Sequence, residues 1–361
     1  MKDISFSGSQ LSAPLTETIS VVWQSPSNIA LVKYWGKTGR QLPVNPSVSM
    51  TLSQAVTKTR LTALPRLTGN KIALEFWFEG KKEDKFGERI SNFLASVADI
   101  FPWLLQVNLK IETSNTFPHS AGIASSASAF SALALCLCSL DSELNGVILD
   151  EDEFRFKASY IARLGSGSAC RSVYPDFALW GAVKGLAGSS DLSAIPLEGI
   201  HPVFCTLRDS IILVSRDKKS VSSSEGHSRM NGHPFAEARI KQAKNNTLEL
   251  LAAMQAGDKK TFISIVENEA FTLHSLMMTS EQGFTLLLPE TVRIISRIQQ
   301  LRRETGLDIC FTLDAGPNVH LLYFEDQSEQ VRKLIVEDLL KNNKQNMLIH
   351  DQVGIGPLKQ V

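Results

Sequence analysis

The stretch NTFPHSAGIASSAS, residues 115–128, carries the strongest indication of the fold. A loop with proline and glycine leads into two serines, and a run of small, helix-favouring residues follows. Serine is a preferred helix N-cap because its side-chain oxygen accepts a backbone N–H that the first turn leaves unpaired. The N–H groups of that turn and the helix dipole also attract phosphate. The stretch alone is equally compatible with an ordinary capped core helix, because short motifs give false positives.

The segments around this helix mix strands and helices without regular alternation. Alternating apolar residues predict strands, and apolar residues at helical spacing predict helices. The residues SPSN at 25–28 predict a turn. Strands are predicted at 21–23, 47–52, 57–64, 71–78, 107–112, 211–214, 311–313, 319–324 and 347–350, and helices at 84–104, 125–140, 151–164, 235–256, 259–277, 289–306 and 331–341. This order favours an α+β fold over a doubly wound sheet, with a boundary near residue 200.

Composition limits the class of protein. The 361 residues carry 37 Lys and Arg against 37 Asp and Glu, so the formal net charge is zero, and 43% are hydrophobic. This is ordinary globular usage, so neither general disorder nor a nucleic-acid coat protein is expected. A neutral total still allows a local basic pocket.

No membrane or secretory segment is expected. The longest apolar run, residues 129–140, is interrupted by Ser131 and Ser139 and is too short for about 30 Å of hydrocarbon. The N-terminus is polar and lacks the apolar centre of a signal peptide. The five cysteines form no paired CxxC motif, so we expect free thiols, no structural zinc and a cytoplasmic location.

A second stretch, ARLGSGSACRS at 162–172, offers glycines, serines and the planar guanidinium of Arg171. That group suits a carboxylate or a phosphate. The stretch lacks the third glycine of a dinucleotide-binding loop and the Gly-Lys-Ser/Thr of a Walker A loop. A helix end followed by a turn is the simpler interpretation.

Three further stretches are weak by themselves. PSNIALVKYWGK at 26–37 has two lysines four apart with aromatic residues between them, DAGPN at 314–318 favours a hairpin turn, and DKKSVSSSEGH at 217–227 is a polar loop. Loops of the last kind often close over ligands, although most are plain surface.

Taken together, these stretches are specific. Their order and spacing resemble those of the diphosphomevalonate decarboxylases of the GHMP kinase superfamily over residues 20 to 350. His227 stands where many relatives carry methionine, and the N-terminal arm is longer than expected for the family. The resemblance implies a GHMP kinase fold, with an N-terminal domain like ribosomal protein S5 domain 2 at residues 1–200 and a ferredoxin-like domain at 201–361.

The resemblance also implies the reaction and its cofactors. The family uses ATP and Mg²⁺ to convert 5-diphosphomevalonate into isopentenyl diphosphate, CO₂, ADP and phosphate, in the mevalonate pathway of isoprenoid, sterol or lipid biosynthesis. The tertiary 3-hydroxyl is phosphorylated, the phosphate leaves, and the carboxylate supplies electrons as CO₂ departs. A homodimer is expected, with Mg²⁺ held by phosphate oxygens and water rather than by side chains.

Matching the family motifs residue by residue implies three groups of site residues. Asp314, Arg171 and Lys33 are the catalytic candidates: Asp314 accepts the hydroxyl proton or orients the hydroxyl, and Arg171 holds the carboxylate. The substrate candidates are Tyr34, Lys37, Ser166, Gly167, Ser168 and again Arg171. The ATP candidates are Gly122, Ala124, Ser125, Ser126, Lys218, Ser222 and Ser223.

Two other functions remain open from the sequence. One is a related enzyme acting on mevalonate or 5-phosphomevalonate, either a kinase or a monophosphate decarboxylase. The other is a ligand sensor without activity, which we would expect to lack one of the catalytic groups. Asp314, Arg171 and Lys33 are all present, which favours a decarboxylase.

Overall fold

The computed structural model describes residues 6, 8–66, 68–69, 71–118, 123–215, 221, 223–341 and 347–360. Within these ranges the strands are β1 (Ile19–Ala30), β2 (Lys37–Thr38), β3 (Leu42–Pro43), β4 (Ser47–Leu64), β5 (Ala73–Phe78), β6 (Lys81–Lys82), β7 (Asn108–Asn115), β8 (Phe177–Trp180), β9 (Ala194–Pro196), β10 (Leu207–Leu213), β11 (Cys310–Thr312), β12 (Val319–Phe324), β13 (Met347–Gln352) and β14 (Leu358–Gln360).

The helices of the same ranges are α1 (Asp84–Ser96), α2 (Ser125–Asn145), α3 (Glu151–Gly165), α4 (Pro202–Cys205), α5 (Ser223–Ser228), α6 (Ala236–Ala256), α7 (Lys259–Met278), α8 (Pro289–Thr305) and α9 (Ser328–Leu334). Short 3₁₀ turns lie at Pro102–Leu105 and Gly167–Val173, and a π-helical turn at Ile335–Leu339 continues α9.

The first lobe is built on a mostly antiparallel sheet. In the described chain its strand order is β14-β1-β4-β7-β5-β6, with β8 and β9 branching from β4, and only the β5–β7 pair is parallel. Helices α2 and α3 pack against this sheet, and α2 contributes a buried stripe from Phe130 to Leu140 to the core. The helix α2 is long and apolar enough to span a membrane, but 78% of its apolar window is buried inside the protein, as in a core helix.

The second lobe is a smaller sheet covered by helices. Its order is β11-β12-β10-β13, with antiparallel pairing throughout. The helices α6, α7 and α8 supply the apolar residues that cover it, such as Leu250, Val266 and Ile298. The α+β class is confirmed.

Three local predictions are wrong. The residues 25–28 do not turn but continue β1, which accommodates Pro26 with a register shift between Pro26 and Asn28. The strands predicted at 47–52 and 57–64 form the single strand β4, because Ser53 and Gln54 stay extended. The helix predicted at 84–104 ends at Ser96, and a 3₁₀ turn that begins at Pro102 follows it.

The chain near the C-terminus connects the two lobes. The Asp351 carboxylate of β13 accepts backbone N–H groups of Ser53, Gln54 and Ala55 at 2.7–2.9 Å. The strand β14 then pairs with β1, so the chain returns to the first lobe's sheet after the second lobe is complete. The domain boundary near residue 200 stays a prediction. It does not account for β14, which comes after that boundary in the chain but pairs with β1 of the first lobe.

Candidate active site

A cavity of about 720 Å³ lies where the predicted stretches meet. The candidate residues that line it are Lys33, Tyr34, Lys37, Ala124, Ser125, Ser126, Ser166, Gly167, Ser168, Arg171 and Asp314. Asp314 comes from the second lobe, and the other ten residues come from the first. Described residues of the stretches at 26–37, 115–128, 162–172 and 314–318 therefore line one cavity.

Lys33 and Asp314 form an ion pair across the two lobes. The chain leaves β1 at Ala30, and Lys33 Nζ folds back to donate to the Ala30 carbonyl at 2.6 Å and to Asp314 Oδ1 at 3.2 Å. The Lys33 side chain is only 2% exposed, whereas that of Asp314 is 24% exposed. Burial lowers the pKa of Lys33, and the Asp314 carboxylate partly offsets this effect.

The turn after β11 holds Asp314 through its backbone. The Asp314 carbonyl accepts the Gly316 N–H at 2.7 Å and lies 3.1 Å from His274 Nε2 of α7. At the far side of the turn, Asn318 Oδ1 accepts the N–H groups of Val214 and Ser215. The carboxylate is thus carried by a turn that is fixed at both ends.

Arg171 lies buried at the floor of the cavity, in the 3₁₀ turn after α3. Its Nε donates to Ser49 Oγ at 3.0 Å, and its Nη2 lies 3.4 Å from Asn28 Oδ1. Its Nη1 is buried without a hydrogen-bond partner among the described residues. A buried guanidinium N–H without an acceptor is costly, so this atom is suited to an anionic ligand.

The Ser166–Ser168 segment packs directly against Tyr34. A Cβ added to Gly167 would lie 2.9 Å from the Tyr34 hydroxyl and 2.8 Å from the Trp180 ring, so only glycine fits without a shift. The Tyr34 hydroxyl is buried without a partner in the described chain, and burial raises its pKa. The two serines of this segment and the Tyr34 phenol therefore line the same cavity.

The N-terminus of α2 lines the cavity, but its N-cap is Ala124 and not the expected serine, and no side chain caps it. Ala124 takes a left-handed conformation with φ of 44°, which is strained for a residue with a Cβ. Ser27 Oγ holds this loop by donating to the Ile123 carbonyl at 2.6 Å, and Ser126 Oγ lies 3.2 Å from Ser166 Oγ. Of the remaining ATP candidates, Ser223 begins α5, whereas Gly122, Lys218 and Ser222 lie outside the described residues.

Sequence reasoning missed Arg89 of α1. It lines the cavity beside Lys37, and its guanidinium lies 5.2 Å from the centre of the Phe130 ring. Burial lowers the pKa of Lys37, and the nearby Arg89 cation lowers it further. A single arginine in an amphipathic helix resembles an ordinary solvated face, so no sequence signal distinguished it.

His227 of α5 closes one side of the cavity. Its ring lies between those of Tyr34 and Trp35, with centroids at 4.3 and 4.8 Å, and its Nδ1 accepts the Gly36 N–H at 3.0 Å. Burial, with a contribution from Lys37, lowers the pKa of His227 to about 3. The neutral imidazole is the form that accepts this bond, so the ring carries its proton on Nε2.

Models of known families match two long segments of the chain. Residues 25–192 match the model of the diphosphomevalonate decarboxylase-like N-terminal domain, and residues 210–357 match that of the mevalonate 5-diphosphate decarboxylase C-terminal domain. A diphosphomevalonate decarboxylase of Candida albicans is 31% identical over 326 residues, which are 86% of each chain. The chain belongs to the diphosphomevalonate decarboxylase family.

Solved structures of this family share the fold. The mevalonate diphosphate decarboxylase from Staphylococcus aureus is 31% identical, with a TM-score of 0.82 over 97% of this chain and 100% of that one. The protein called MDDEF, solved "in complex with MVAPP, AMPPCP and Magnesium", is 27% identical with a TM-score of 0.79, over 95% and 99% of the two chains. The GHMP kinase fold expected from the sequence is thereby confirmed.

Membership in the diphosphomevalonate decarboxylase family settles the class of reaction. The chain is a carboxy-lyase of this family, whose activity is ATP-dependent decarboxylation of mevalonate diphosphate. The prediction of a decarboxylase is confirmed, and the roles of individual residues stay predictions.

Proposed function

We propose that this chain decarboxylates 5-diphosphomevalonate in the cavity between its two lobes, with Asp314, Lys33 and Arg171 as the catalytic groups. The observation that carries this proposal is their arrangement. An Asp–Lys pair with a 3.2 Å contact and a buried arginine with one unpartnered N–H line the same cavity.

Asp314 is the group that acts on the 3-hydroxyl. Its carboxylate is the more exposed member of the ion pair and lines the cavity, while Oδ1 faces Lys33 Nζ. It either takes the hydroxyl proton or orients the hydroxyl toward the γ-phosphate. Lys33 holds the carboxylate in place and adds a positive charge beside the phosphoryl group.

Arg171 holds the substrate carboxylate. Ser49 and Asn28 fix two of its nitrogens, which leaves Nη1 for the ligand. Binding through the planar guanidinium aligns the C–C bond that breaks when CO₂ leaves. The orientation is prearranged, because the guanidinium is buried and already hydrogen-bonded before a ligand arrives.

The anionic ends of both ligands fit the rest of the cavity. Ser166, Ser168, Tyr34 and Lys37 offer donors for the substrate diphosphate, and Ser125 and Ser126 offer donors for ATP phosphates at the α2 N-terminus. We extend the role in ATP binding to Gly122, Ala124, Lys218, Ser222 and Ser223 on the motif alone. Among the described residues, the Ser125 and Ser126 hydroxyls are donors suited to a nucleotide phosphate.

Magnesium fits the same site without a dedicated cage. The described residues contain no group of three or more His, Cys, Asp or Glu side chains that could hold a metal ion. Mg²⁺ is commonly held by phosphate oxygens, water and one or two carboxylates. When bound with ATP, it would supply charge neutralisation for phosphoryl transfer, held by phosphate oxygens and water.

The test is ATP-dependent release of CO₂ from 5-diphosphomevalonate, run beside mevalonate and its 5-monophosphate. We expect CO₂ and ADP in equal amounts from the diphosphate alone. CO₂ from the monophosphate would identify a monophosphate decarboxylase instead, and ADP without CO₂ would identify a kinase. Absence of ADP with every substrate would favour a sensor.

We also propose that the enzyme is a cytoplasmic homodimer that makes isopentenyl diphosphate for isoprenoid, sterol or lipid synthesis. The zero net charge and the small-molecule cavity support a role without nucleic-acid or membrane partners. Sedimentation of the purified chain tests the oligomeric state, and fractionation of the source cells tests the location.

A further inference from the structure

The peptide groups on both sides of Lys33 are held by one buried ion pair. Glu269 Oε2 of α7 accepts the Lys33 N–H at 2.8 Å, and Arg239 Nη2 of α6 donates to the Lys33 carbonyl at 2.9 Å. The two side chains also bind each other through two hydrogen bonds of 2.7 and 2.6 Å. Their side chains are 1% and 0% exposed.

The contacts around the pair leave it little freedom. Asn246 Nδ2 donates to Glu269 Oε1 at 2.6 Å, and Asn45 Nδ2 donates to the Lys33 carbonyl at 3.0 Å. The helices α6 and α7 belong to the second lobe, whereas Lys33 extends from β1 of the first. The pair therefore joins the lobes at the residue whose side chain meets Asp314.

Stability alone is a weak reason to keep such a pair. Removing two charges from water costs free energy, and apolar residues of similar size in place of a buried ion pair are often neutral or stabilising. An apolar pair could not bind a peptide N–H and a peptide carbonyl at the same time. What the charged pair adds is a fixed position for the Lys33 backbone.

We propose that Arg239 and Glu269 are a positioning pair, which holds Lys33 against Asp314 and makes the catalytic contact depend on the second lobe's helices. The proposal rests on the catalytic role of Lys33 in the proposed function. Neither residue lines the cavity, so both act through Lys33 rather than on the substrate.

The pair also acts on Lys33 through charge. The charged groups around Lys33 are Asp314, Glu269 and Arg171, with Arg239 on its carbonyl. The negative charges of Asp314 and Glu269 raise the pKa of Lys33, whereas burial and the cation of Arg171 lower it. Neutralising Glu269 removes one of the two supporting charges, so the pKa of Lys33 falls.

The first experiment replaces the pair by apolar residues, R239M/E269M. A matched control is R302M/E267M. Arg302 of α8 and Glu267 of α7 form another ion pair with two hydrogen bonds, and Glu267 is two residues from Glu269. We expect both variants to fold. The test variant loses about a hundredfold in kcat, as a displaced catalytic group does, with KM within about threefold. The control keeps its kcat.

The second experiment uses E269Q and the pH dependence of kcat. Glutamine keeps an acceptor for the Lys33 N–H but loses the charge, so the alkaline limb of the profile moves to lower pH. A merely structural role would lower the amount of folded enzyme and leave the profile in place.

The outcomes separate this proposal from the proposed function. A wild-type enzyme that releases no CO₂ defeats the proposed function, whatever the variants do. If the wild type is active, the positioning role alone is defeated when R239M/E269M keeps its kcat and E269Q keeps the pH profile of kcat. Unfolding of R239M/E269M while R302M/E267M folds also defeats it, in favour of a structural role.

Discussion

Lys33 Nζ and Asp314 Oδ1 lie 3.2 Å apart although 281 positions separate the two residues in the chain. Lys33 follows β1 of the first lobe, and Asp314 follows β11 of the second. The Thr312 hydroxyl, on the same strand end, lies 3.5 Å from the Ala30 carbonyl that Lys33 Nζ also contacts. The contact between the lobes and the candidate catalytic pair are therefore one structure, and a change in lobe packing changes the site.

Asp314→Asn is expected to lower kcat by about 10²- to 10⁴-fold, because asparagine can neither accept the hydroxyl proton nor pair with Lys33. KM for 5-diphosphomevalonate should change little. Coupled measurement of ADP and CO₂ checks both. The control is Asp308→Asn, which removes a partly exposed carboxylate paired with Lys259 in the same lobe and should leave the rate unchanged. Near-normal turnover in Asp314→Asn would remove Asp314 from either role.

Arg171→Lys keeps a positive charge but loses the planar guanidinium that contacts Ser49 and Asn28 and that, in the proposed function, holds the substrate carboxylate. We expect kcat/KM to fall by about a hundredfold, because the substrate carboxylate loses its orientation. Steady-state CO₂ release measures the effect. Arg155→Lys is the matched control, since Arg155 is a partly exposed arginine of α3 that pairs with Glu151. Equal losses in both variants would contradict a specific role for Arg171.

The sequence predicts candidate site residues more readily when they lie together in a short stretch than when they stand alone in a helix. The stretches at 26–37, 115–128, 162–172 and 314–318 are compact patterns, and the cavity brings them together. Arg89, Arg239 and Glu269 belong to helices whose charged residues look solvated in the sequence, and only tertiary packing places them at the cavity or buries them. The turn predicted at 25–28 is absent, because strand pairing with β4 outweighs the local preference of Ser, Pro and Asn for a turn.

Gly167→Ala is expected to reduce activity at least tenfold. The added methyl would lie 2.8 Å from the Trp180 ring and 2.9 Å from the Tyr34 hydroxyl, and those two rings already pack at 4.7 Å. Either Tyr34 or the Ser166–Ser168 segment must move, and a shift of about 1 Å in a binding site costs about a hundredfold.

A matched substitution separates this clash from a general effect of alanine. Gly87 lies in α1, and a Cβ there meets its nearest neighbour at 3.4 Å. Gly87→Ala should keep activity and raise stability by up to about 1 kcal/mol, because alanine favours a helix over glycine. Thermal melts and steady-state rates check both variants, and an active Gly167→Ala enzyme would show that the segment tolerates the shift.

His227 is expected to make the folded state sensitive to mild acid. Its folded pKa of about 3 lies below the ordinary value of 6.5, so the unfolded chain takes up the proton first as pH falls. The stability that the neutral ring provides is complete above about pH 6.5 and is lost progressively between that value and about 3. A protonated Nδ1 can no longer accept the Gly36 N–H, and the added charge lies near Lys37 and against the ring of Tyr34.

Thermal melts at pH 5 and pH 8 measure this effect. The melting temperature of the wild type should fall between these values by about 2 °C or more beyond the fall in His227→Gln, which has no group to titrate there. His201→Gln is the control, because His201 also accepts a backbone N–H at Nδ1, from Val203, but is exposed and remote from the cavity. Parallel pH dependence in the wild type and in His227→Gln would show that the ring between Tyr34 and Trp35 titrates without effect on folding.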